Sequence, residues 1–389
     1  MYDLSGLLKA GLCTRCIGRV FATLDTGLTN LDRGRMILFS LQAATGQRVE
    51  ENSDAGCPLC HGIFSDFDRY YRIVESEIIQ IEYKTFLMGS RFPTETLEME
   101  KVIQDQYGSA GESIKKEFNR EFGKYCSSLT GKDVDFEAPD ISITVDTRYD
   151  SVEIRVKSLY IRGTYTKLRR DLPQTRWIYG SDLNESVESI IGEPLREMTG
   201  CGNYFLHAAG REDVDVRMLG NGREFVVEAH SPLKRSISLD KLLKAINDQN
   251  KGVIVSDLSY ADVSAVKTVK SESNYKTYRA VIEGDELLDP TKLEDVKKYL
   301  SGRVIYQRTP LRVMKRRADL VRQRKIECLK LLDVSGNCAV MEITAESGTY
   351  IKELVNGDKG RTDPSISSVY GADLKVSELD VIQIHRSEK

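Results

Sequence analysis

The spacing of apolar residues predicts both strands and helices in the first half of the chain. Apolar residues occupy alternate positions at 141–145 and 152–156, on either side of the polar run 146–150, which is typical of a β-hairpin. At 30–44 and 111–129 they recur every three or four residues, as in amphipathic helices. We therefore expect an α+β arrangement.

The second half of the chain has the same mixed character. Strands are predicted at 225–228 and 278–282, and helices at 239–248, 292–300 and after Ser347. The polar segment 256–275 predicts a mobile loop. Pro173 interrupts a strand pattern, so we place a boundary before it and divide the chain into residues 1–75, 76–170 and 171–389.

Composition limits the class of protein. The 389 residues are 40% hydrophobic and 30% charged, which is ordinary for a protein of two or three domains. No run of about 18 apolar residues could span a bilayer. The first residues lack the apolar stretch of a secretory signal. We therefore expect a cytoplasmic protein without a membrane segment.

Positive charge is concentrated in two stretches, although the net charge is -3. Nine Lys or Arg and one acid lie from Arg303 to Lys325, and seven Lys or Arg and one acid lie from Arg155 to Arg176. Aromatic residues accompany these stretches, namely Tyr160, Tyr165, Trp177 and Tyr306. A single run of this kind usually only solvates a surface, but two runs with aromatic residues favour RNA binding.

Four of the eight cysteines form two C-x-x-C pairs. Cys13 and Cys16 form the first pair, and Cys57 and Cys60 form the second. Each pair can place two thiolates on one metal ion, so the two pairs together predict a tetrahedral structural zinc site. A redox dithiol and buried reduced cysteines are the alternatives, and His61 is a further ligand to consider. Such a zinc site stabilises a small module and takes no part in catalysis.

The segment from Gly210 to Gly220, with the sequence GREDVDVRMLG, carries the most chemical information. In an extended conformation, Asp213, Asp215 and Arg217 would share one face, with two valines on the other. Spacing alone favours an ordinary surface strand or loop with a local ion pair. It does not distinguish Asp213 from Asp215 as a catalytic acid.

This segment resembles the Arg-x-Asp motif of pseudouridine synthases, in the form found in the archaeal and eukaryotic tRNA pseudouridine-54/55 synthase family. Residues 275–280, YKTYRA, are similar to the family's Lys-x-Tyr motif. Residues 348–355, GTYIKELV, are similar to its Gly-Thr-Tyr-Ile-Arg/Lys motif. Residues 307–319 resemble its RNA-clasping thumb, and the paired cysteines match its N-terminal domain. The motifs occur in the family's order.

The resemblance implies a fold, a reaction and a set of site residues. The fold is a catalytic domain with a mixed, mainly antiparallel sheet and flanking helices, preceded by a zinc module and a THUMP-like RNA-binding domain. The reaction is the isomerisation of uridine to pseudouridine in the T arm of tRNA, at positions 54 and 55, with no organic cofactor. The implied roles are Asp213 as nucleophile or base; Lys352 or Arg211 as its cation; Tyr278 and Leu354 at the flipped base; and Arg308, Arg312, Lys315, Arg316 and Arg317 at phosphates.

Two other functions stay open on the sequence. A non-catalytic zinc and THUMP RNA-binding protein would use the same accessory region, with a purely structural acidic motif. A tRNA methyltransferase or thiolase would need a glycine loop that cradles a nucleotide, and the run from Gly220 to Gly222 is only G-x-G. The sequence indicates no protein partner.

Overall fold

The computed structural model describes residues 4–22, 27–46, 48–107, 111–176, 185–315 and 317–386. The chain divides into two compact units, Met1–Lys157 and Ser158–Lys389. None of the helices in the described ranges is both long enough and apolar enough to cross a membrane.

The first unit is a small sheet with helices. Its helices are α1 (Leu4–Lys9), α2 (Thr14–Val20), α3 (Asn30–Thr45), α4 (Phe67–Ile78), α5 (Thr94–Tyr107) and α6 (Ile114–Thr130), with a 3-10 turn at Ile63–Ser65. Its strands are β1 (Thr85–Arg91), β2 (Asp133–Val134), β3 (Ile141–Asp146) and β4 (Ser151–Val156). They lie in the order β2-β1-β3-β4, and β3 and β4 form the predicted antiparallel hairpin.

The two predicted helices of this unit are confirmed as α3 and α6. Thr29 caps α3 by accepting a hydrogen bond from the amide of Asp32. α3 crosses α2 at very close range, because a Cβ atom on Gly34 would lie 1.9 Å from the carbonyl oxygen of Thr14. Only glycine allows this approach of the two backbones.

The second unit contains a ten-stranded sheet. Its strands are β5 (Leu159–Lys167), β6 (Asn203–Ala208), β7 (Arg217–His230), β8 (Val253–Ala261), β9 (Tyr275–Gly284), β10 (Val304–Arg308), β11 (Val321–Ser335), β12 (Cys338–Ala345), β13 (Thr362–Asp363) and β14 (Leu374–His385). Its helices are α7 (Val187–Thr199), α8 (Leu239–Asn247), α9 (Val263–Ser271), α10 (Pro290–Leu300), α11 (Ile351–Asn356) and α12 (Ile366–Tyr370), with 3-10 turns at Leu311–Val313 and Gly357–Gly360.

The strand order is β13-β10-β11-β12-β9-β14-β7-β5-β8, with β6 also paired to β7. Within the described part of the sheet, only β7 and β14 pair in parallel. The expected mixed, mainly antiparallel sheet with flanking helices is therefore confirmed. Strands β9 and β14 lie at the centre, where Ala280 and Ile282 are fully buried in the core of the unit.

Two segments differ from the sequence expectation. The expected loop at 256–275 is wrong, because this segment holds most of β8, all of α9 and the start of β9. The part of β8 within this segment, 256–261, has few buried residues, and β8 is the last strand in the sheet order and so has an edge open to water. We expected β5 in the middle region, before the boundary near Pro173, but β5 pairs with β7 and β8 and so belongs to the second unit.

Candidate active site

The acidic residues of the motif lie in a loop between β6 and β7, so of the two possibilities, strand or loop, the structure shows the loop. The amide of Val216 donates a hydrogen bond to the carbonyl oxygen of Asp213, at 3.1 Å, which closes a turn. Asp213 and Asp215 still lie on the same side, since both come within 3.6 Å of the Lys352 ammonium. Arg217 does not join them, because its guanidinium binds Asp380 on β14 at 2.6 Å.

Two cations hold the Asp213 carboxylate. Arg312 Nη1 lies 2.9 Å from Asp213 Oδ2, and Lys352 Nζ lies 3.6 Å from the same oxygen. Lys352 makes its shorter contact, 2.7 Å, with Asp215 Oδ2. Lys352 therefore contacts Asp213 as expected. Asp213 also has a closer cation, Arg312, which we had expected to contact phosphate. Arg211 is exposed and has no acid within 4.0 Å among the described residues.

A buried acid fixes Arg312 in this position. Arg312 Nε donates to Glu353 Oε1 at 2.6 Å, and the Glu353 side chain is only 5% exposed. Burial acts to lower the pKa of Arg312, but the charges of Glu353 and Asp213 outweigh it and raise that pKa. Arg312 is thus a permanent cation that links a buried carboxylate to the exposed one.

A second ionic cluster lies in the interior behind the loop. Glu212 Oε2 lies 2.9 Å from Arg223 Nε, and both side chains are almost fully buried. The Tyr165 hydroxyl donates to both Glu212 oxygens, at 2.9 and 3.1 Å. Neither Glu212 nor its partners were predicted as site residues. Tyr165, one of the aromatic residues that accompany the basic stretches, is 0% exposed and so offers no surface on which an RNA base could stack.

Lys167 ties the loop backbone to β5. Its ammonium donates hydrogen bonds to the carbonyl oxygens of Leu172, Asp213 and Val214, at 2.8, 3.1 and 3.2 Å. Because the ammonium is buried, the pKa of Lys167 is lowered. The backbone that carries Asp213 is therefore held directly by a side chain from a neighbouring strand.

Asp213 faces a cavity of about 490 Å³. Tyr278 on β9 lines this cavity, as do Val214, Ile351 and Leu379. Burial raises the pKa of Tyr278 to about 12, so the phenol stays neutral. Leu354, which we expected at the flipped base, is fully buried in the core and does not line the cavity.

The expected phosphate-binding residues differ in their surroundings. Arg308 is paired with Asp319, at 2.6 Å. Lys315 and Arg317 are exposed and have no acid within 4.0 Å in the part of the chain that the structure describes. Arg316 lies outside the described residues, as does Trp177.

The paired cysteines of the first unit come together as expected. The four sulfur atoms of Cys13, Cys16, Cys57 and Cys60 are buried and lie within 4.8 Å of one another. Cys13 Sγ and Cys60 Sγ are 3.7 Å apart, close to the ~3.8 Å between two ligands of a tetrahedral zinc ion with Zn–S bonds of ~2.3 Å. The cluster could therefore hold a metal ion. His61 is exposed and is not one of its members.

Comparison with known proteins gives matches over both units. Residues 160–385 match the family model "Pus10, C-terminal", and residues 70–146 match the model "Pus10 THUMP domain, archaeal". A protein of Thermoplasma acidophilum named tRNA pseudouridine synthase Pus10 is 49% identical over 389 residues, the full length of both chains. One of the same name from Picrophilus torridus is 49% identical over 99% of this chain and all of its own length.

Among solved structures, a chain from the crystal structure of a Cbf5-Nop10-Gar1 complex covers 57% of this chain and 48% of its own, at 17% identity and a TM-score of 0.34. The assignment depends on the sequence matches, which cover both units and, in the two relatives, nearly every residue. The chain therefore belongs to the Pus10 family of pseudouridine synthases.

Proposed function

We propose that this protein isomerises uridine to pseudouridine in the T arm of tRNA, at positions 54 and 55. One observation carries the proposal: Asp213 faces a cavity of about 490 Å³ and is held there by Arg312 and Lys352. This volume is within the usual range for small-molecule sites. The names of the full-length relatives support tRNA as the substrate. The choice of the T arm and of the two positions comes from the sequence resemblance.

In this reaction the Asp213 carboxylate acts on the ribose of the target uridine, either as a nucleophile at C1′ or as a base at C2′. The N1–C1′ bond breaks, and its electron pair leaves with uracil. Uracil then turns, and C5 forms the new bond to C1′ as the Asp213–C1′ ester bond breaks or, in the base mechanism, as the proton returns to C2′. The proton on C5 then passes to water, and N1 takes up a proton from water. Arg312 and Lys352 fix the orientation of the carboxylate, and Arg211, which lines the same cavity, is a further cation near the ribose.

The target base must leave its stack to reach Asp213, and packing in the cavity offsets the cost of unstacking. Tyr278 is the aromatic residue that lines the cavity from β9, so we assign it to stacking on the flipped uracil. Val214 and Leu379 provide apolar wall beside it. They take the place that we had assigned to Leu354.

The exposed basic residues after β10 contact phosphates in this proposal. Lys315 and Arg317 are the best supported, because their charges are not neutralised by an acid within 4.0 Å among the described residues. Arg308 can contribute only if it shares its charge with Asp319. Such contacts position the RNA and do not select its sequence.

In the first unit, we propose that the four-cysteine cluster binds a structural zinc ion. Four thiolates in a closed tetrahedral site are typical of structural zinc, and the closed site leaves no open position for a substrate. Zinc would stabilise α2, because Cys16 lies in this helix and Cys13 directly precedes it. A tRNA substrate agrees with the cytoplasm as the place of action.

The proposal is tested by tritium release from a tRNA transcript whose uridines carry tritium at C5. The wild-type protein is expected to release tritium, and Asp213→Asn is expected to release none, because the amide is neither a nucleophile nor a base. Asp215→Asn, a matched change two residues away, is expected to retain release. Transcripts with cytidine at position 54, at 55 or at both identify the target.

The alternative is the non-catalytic RNA-binding protein. Tight binding of several tRNAs without tritium release by the wild-type protein would favour that alternative. Release that is lost in Asp215→Asn and kept in Asp213→Asn would show that the wrong acid was chosen. Release that persists when both positions carry cytidine would contradict the T-arm assignment.

A further inference from the structure

A buried lysine in the cavity wall has no role in the reaction described above. Lys276 lies on β9, two residues before Tyr278, so both side chains are on the same face of the strand. Both line the cavity that Asp213 faces. Lys276 is only 7% exposed. A lysine is rarely buried to this extent unless it is paired with an acid.

Lys276 is not paired in this way. Its ammonium donates to the carbonyl oxygen of Asn274 at 3.2 Å and to the hydroxyl of Ser347 at 3.3 Å. An ammonium has three N–H groups, so the third has no acceptor among the described residues. No carboxylate of those residues lies within 4.0 Å of the Lys276 ammonium. Lys352 and Arg312, by contrast, both lie within 4.0 Å of the Asp213 carboxylate.

The charged groups that act on Lys276 come from two other elements. Arg223 of β7 is a like charge, and Glu272, just after α9, is an opposite charge. On its own strand, Tyr275 directly precedes Lys276, and Tyr278, on the same face as Lys276, stays neutral. His385 of β14 is bonded to Thr277 at 2.7 Å instead. The surroundings are therefore unfavourable for a buried cation that has no anionic partner.

We propose that Lys276 is a further catalytic residue, whose ammonium donates a hydrogen bond to a carbonyl oxygen of the departing uracil and stabilises its negative charge. The inference rests on the proposed function. When the N1–C1′ bond breaks, uracil takes the electron pair and becomes an anion, with charge on N1 and on both carbonyl oxygens. That anion supplies the partner that Lys276 otherwise lacks. It forms whether Asp213 is a nucleophile or a base.

The role requires the protonated form of Lys276. Burial, together with the charge of Arg223, lowers the pKa of Lys276 to about 8. The rate of the chemical step should therefore be constant below that pH and fall as the pH rises through it. If Lys276 instead removed the C5 proton as a base, the rate would rise over the same range.

The experiment uses the full chain in excess over tritiated tRNA, so that the rate of a single turnover is measured from pH 6 to 9.5 alongside tRNA affinity. Lys276→Met removes the charge and keeps most of the volume. Lys276→Arg keeps a charge that does not titrate in this range. Lys375→Met, an exposed lysine on β14 outside the cavity, is the control for loss of one positive charge.

Lys276→Met is expected to lower the single-turnover rate by about 100- to 1,000-fold, as when one donor to a developing anion is removed, with tRNA affinity unchanged. Lys276→Arg is expected to keep part of the rate and to lose the fall above pH 8. A weaker affinity with an unchanged rate would show a phosphate contact and overturn the proposal. So would a rate that rises with pH in the wild-type protein.

Thermal unfolding of each variant distinguishes a lost donor from a damaged fold. If Lys276→Met does not fold, the proposal is tested by the pH profiles of the wild type and Lys276→Arg. A fall in rate above pH 8 that is present in both proteins is not due to Lys276 and overturns the proposal. The absence of tritium release from the wild type would instead refute the proposed function.

Discussion

Replacement of Glu212 by glutamine tests whether the buried ionic cluster stabilises the unit that carries the loop with Asp213. The side chains of Glu212 and Arg223 are 0% and 2% exposed, and their charged atoms lie 2.9 Å apart. Glutamine keeps the shape and can still accept the hydrogen bond of Tyr165, but it leaves the Arg223 guanidinium without its counter-charge. Removal of one partner of a buried pair costs about 3–5 kcal/mol. For a unit of this size, we expect a melting temperature lower by roughly 6–20 °C.

Differential scanning calorimetry of the full chain measures this change. Glu294→Gln, which removes an exposed acid of α10, is the matched control and should have the same melting temperature as the wild type. The double variant Glu212→Gln/Arg223→Met removes both buried charges, so it should recover part of the lost stability. An unchanged melting temperature for Glu212→Gln would refute the reasoning, because it would mean that Arg223 is satisfied without Glu212. A double variant less stable than the single one would refute it as well.

Three further predictions concern the loop, the metal site and acid stability. Lys167→Met removes the hydrogen bonds to the Asp213 and Val214 carbonyls, so it should lower the single-turnover rate without weakening tRNA binding, whereas the exposed Lys375→Met should change neither. Cys57→Ser should abolish bound zinc, measured by atomic absorption, and should lower the melting temperature of the first unit alone. Burial acts to raise the pKa of Asp380, but its two arginine partners outweigh it and lower the pKa below 3.8. The ionised Asp380 therefore contributes fully to stability above pH 3.8, and this contribution is lost as the pH falls through its lowered pKa. In an acid titration, the free energy of unfolding of Asp380→Asn should fall less steeply than that of the wild type.

Elements with a strong apolar period could be predicted from the sequence. Helix α6 buries Phe118 and Phe122 along one stripe, and the hairpin of β3 and β4 buries Ile143 between polar neighbours. β8 could not be predicted in the same way. Its second part, 256–261, lies in an edge strand that needs little apolar surface, so the sequence of this part is similar to that of a loop.

The residues of the candidate site could be predicted only where they belong to a recognised family motif. Asp213, Tyr278 and Lys352 do line one cavity, although they come from three separate segments of the chain. The place of Arg312 could not be predicted, because it belongs to a basic run whose composition indicates phosphate binding. Its acidic partner Glu353 lies 41 residues away, and no local pattern connects the two.

Two consecutive acids in the loop have opposite surroundings, and this contrast explains how the loop works. Glu212 points into the interior, where Arg223 and Tyr165 bind it, while Asp213 points into the cavity and is 39% exposed. The interior acid cannot turn outward without leaving Arg223 unpaired, so its ion pair fixes the direction of the next residue. Lys167 holds the backbone carbonyl groups of Asp213 and Val214. For the proposed reaction, Asp213 is therefore positioned by contacts within the protein before a substrate binds.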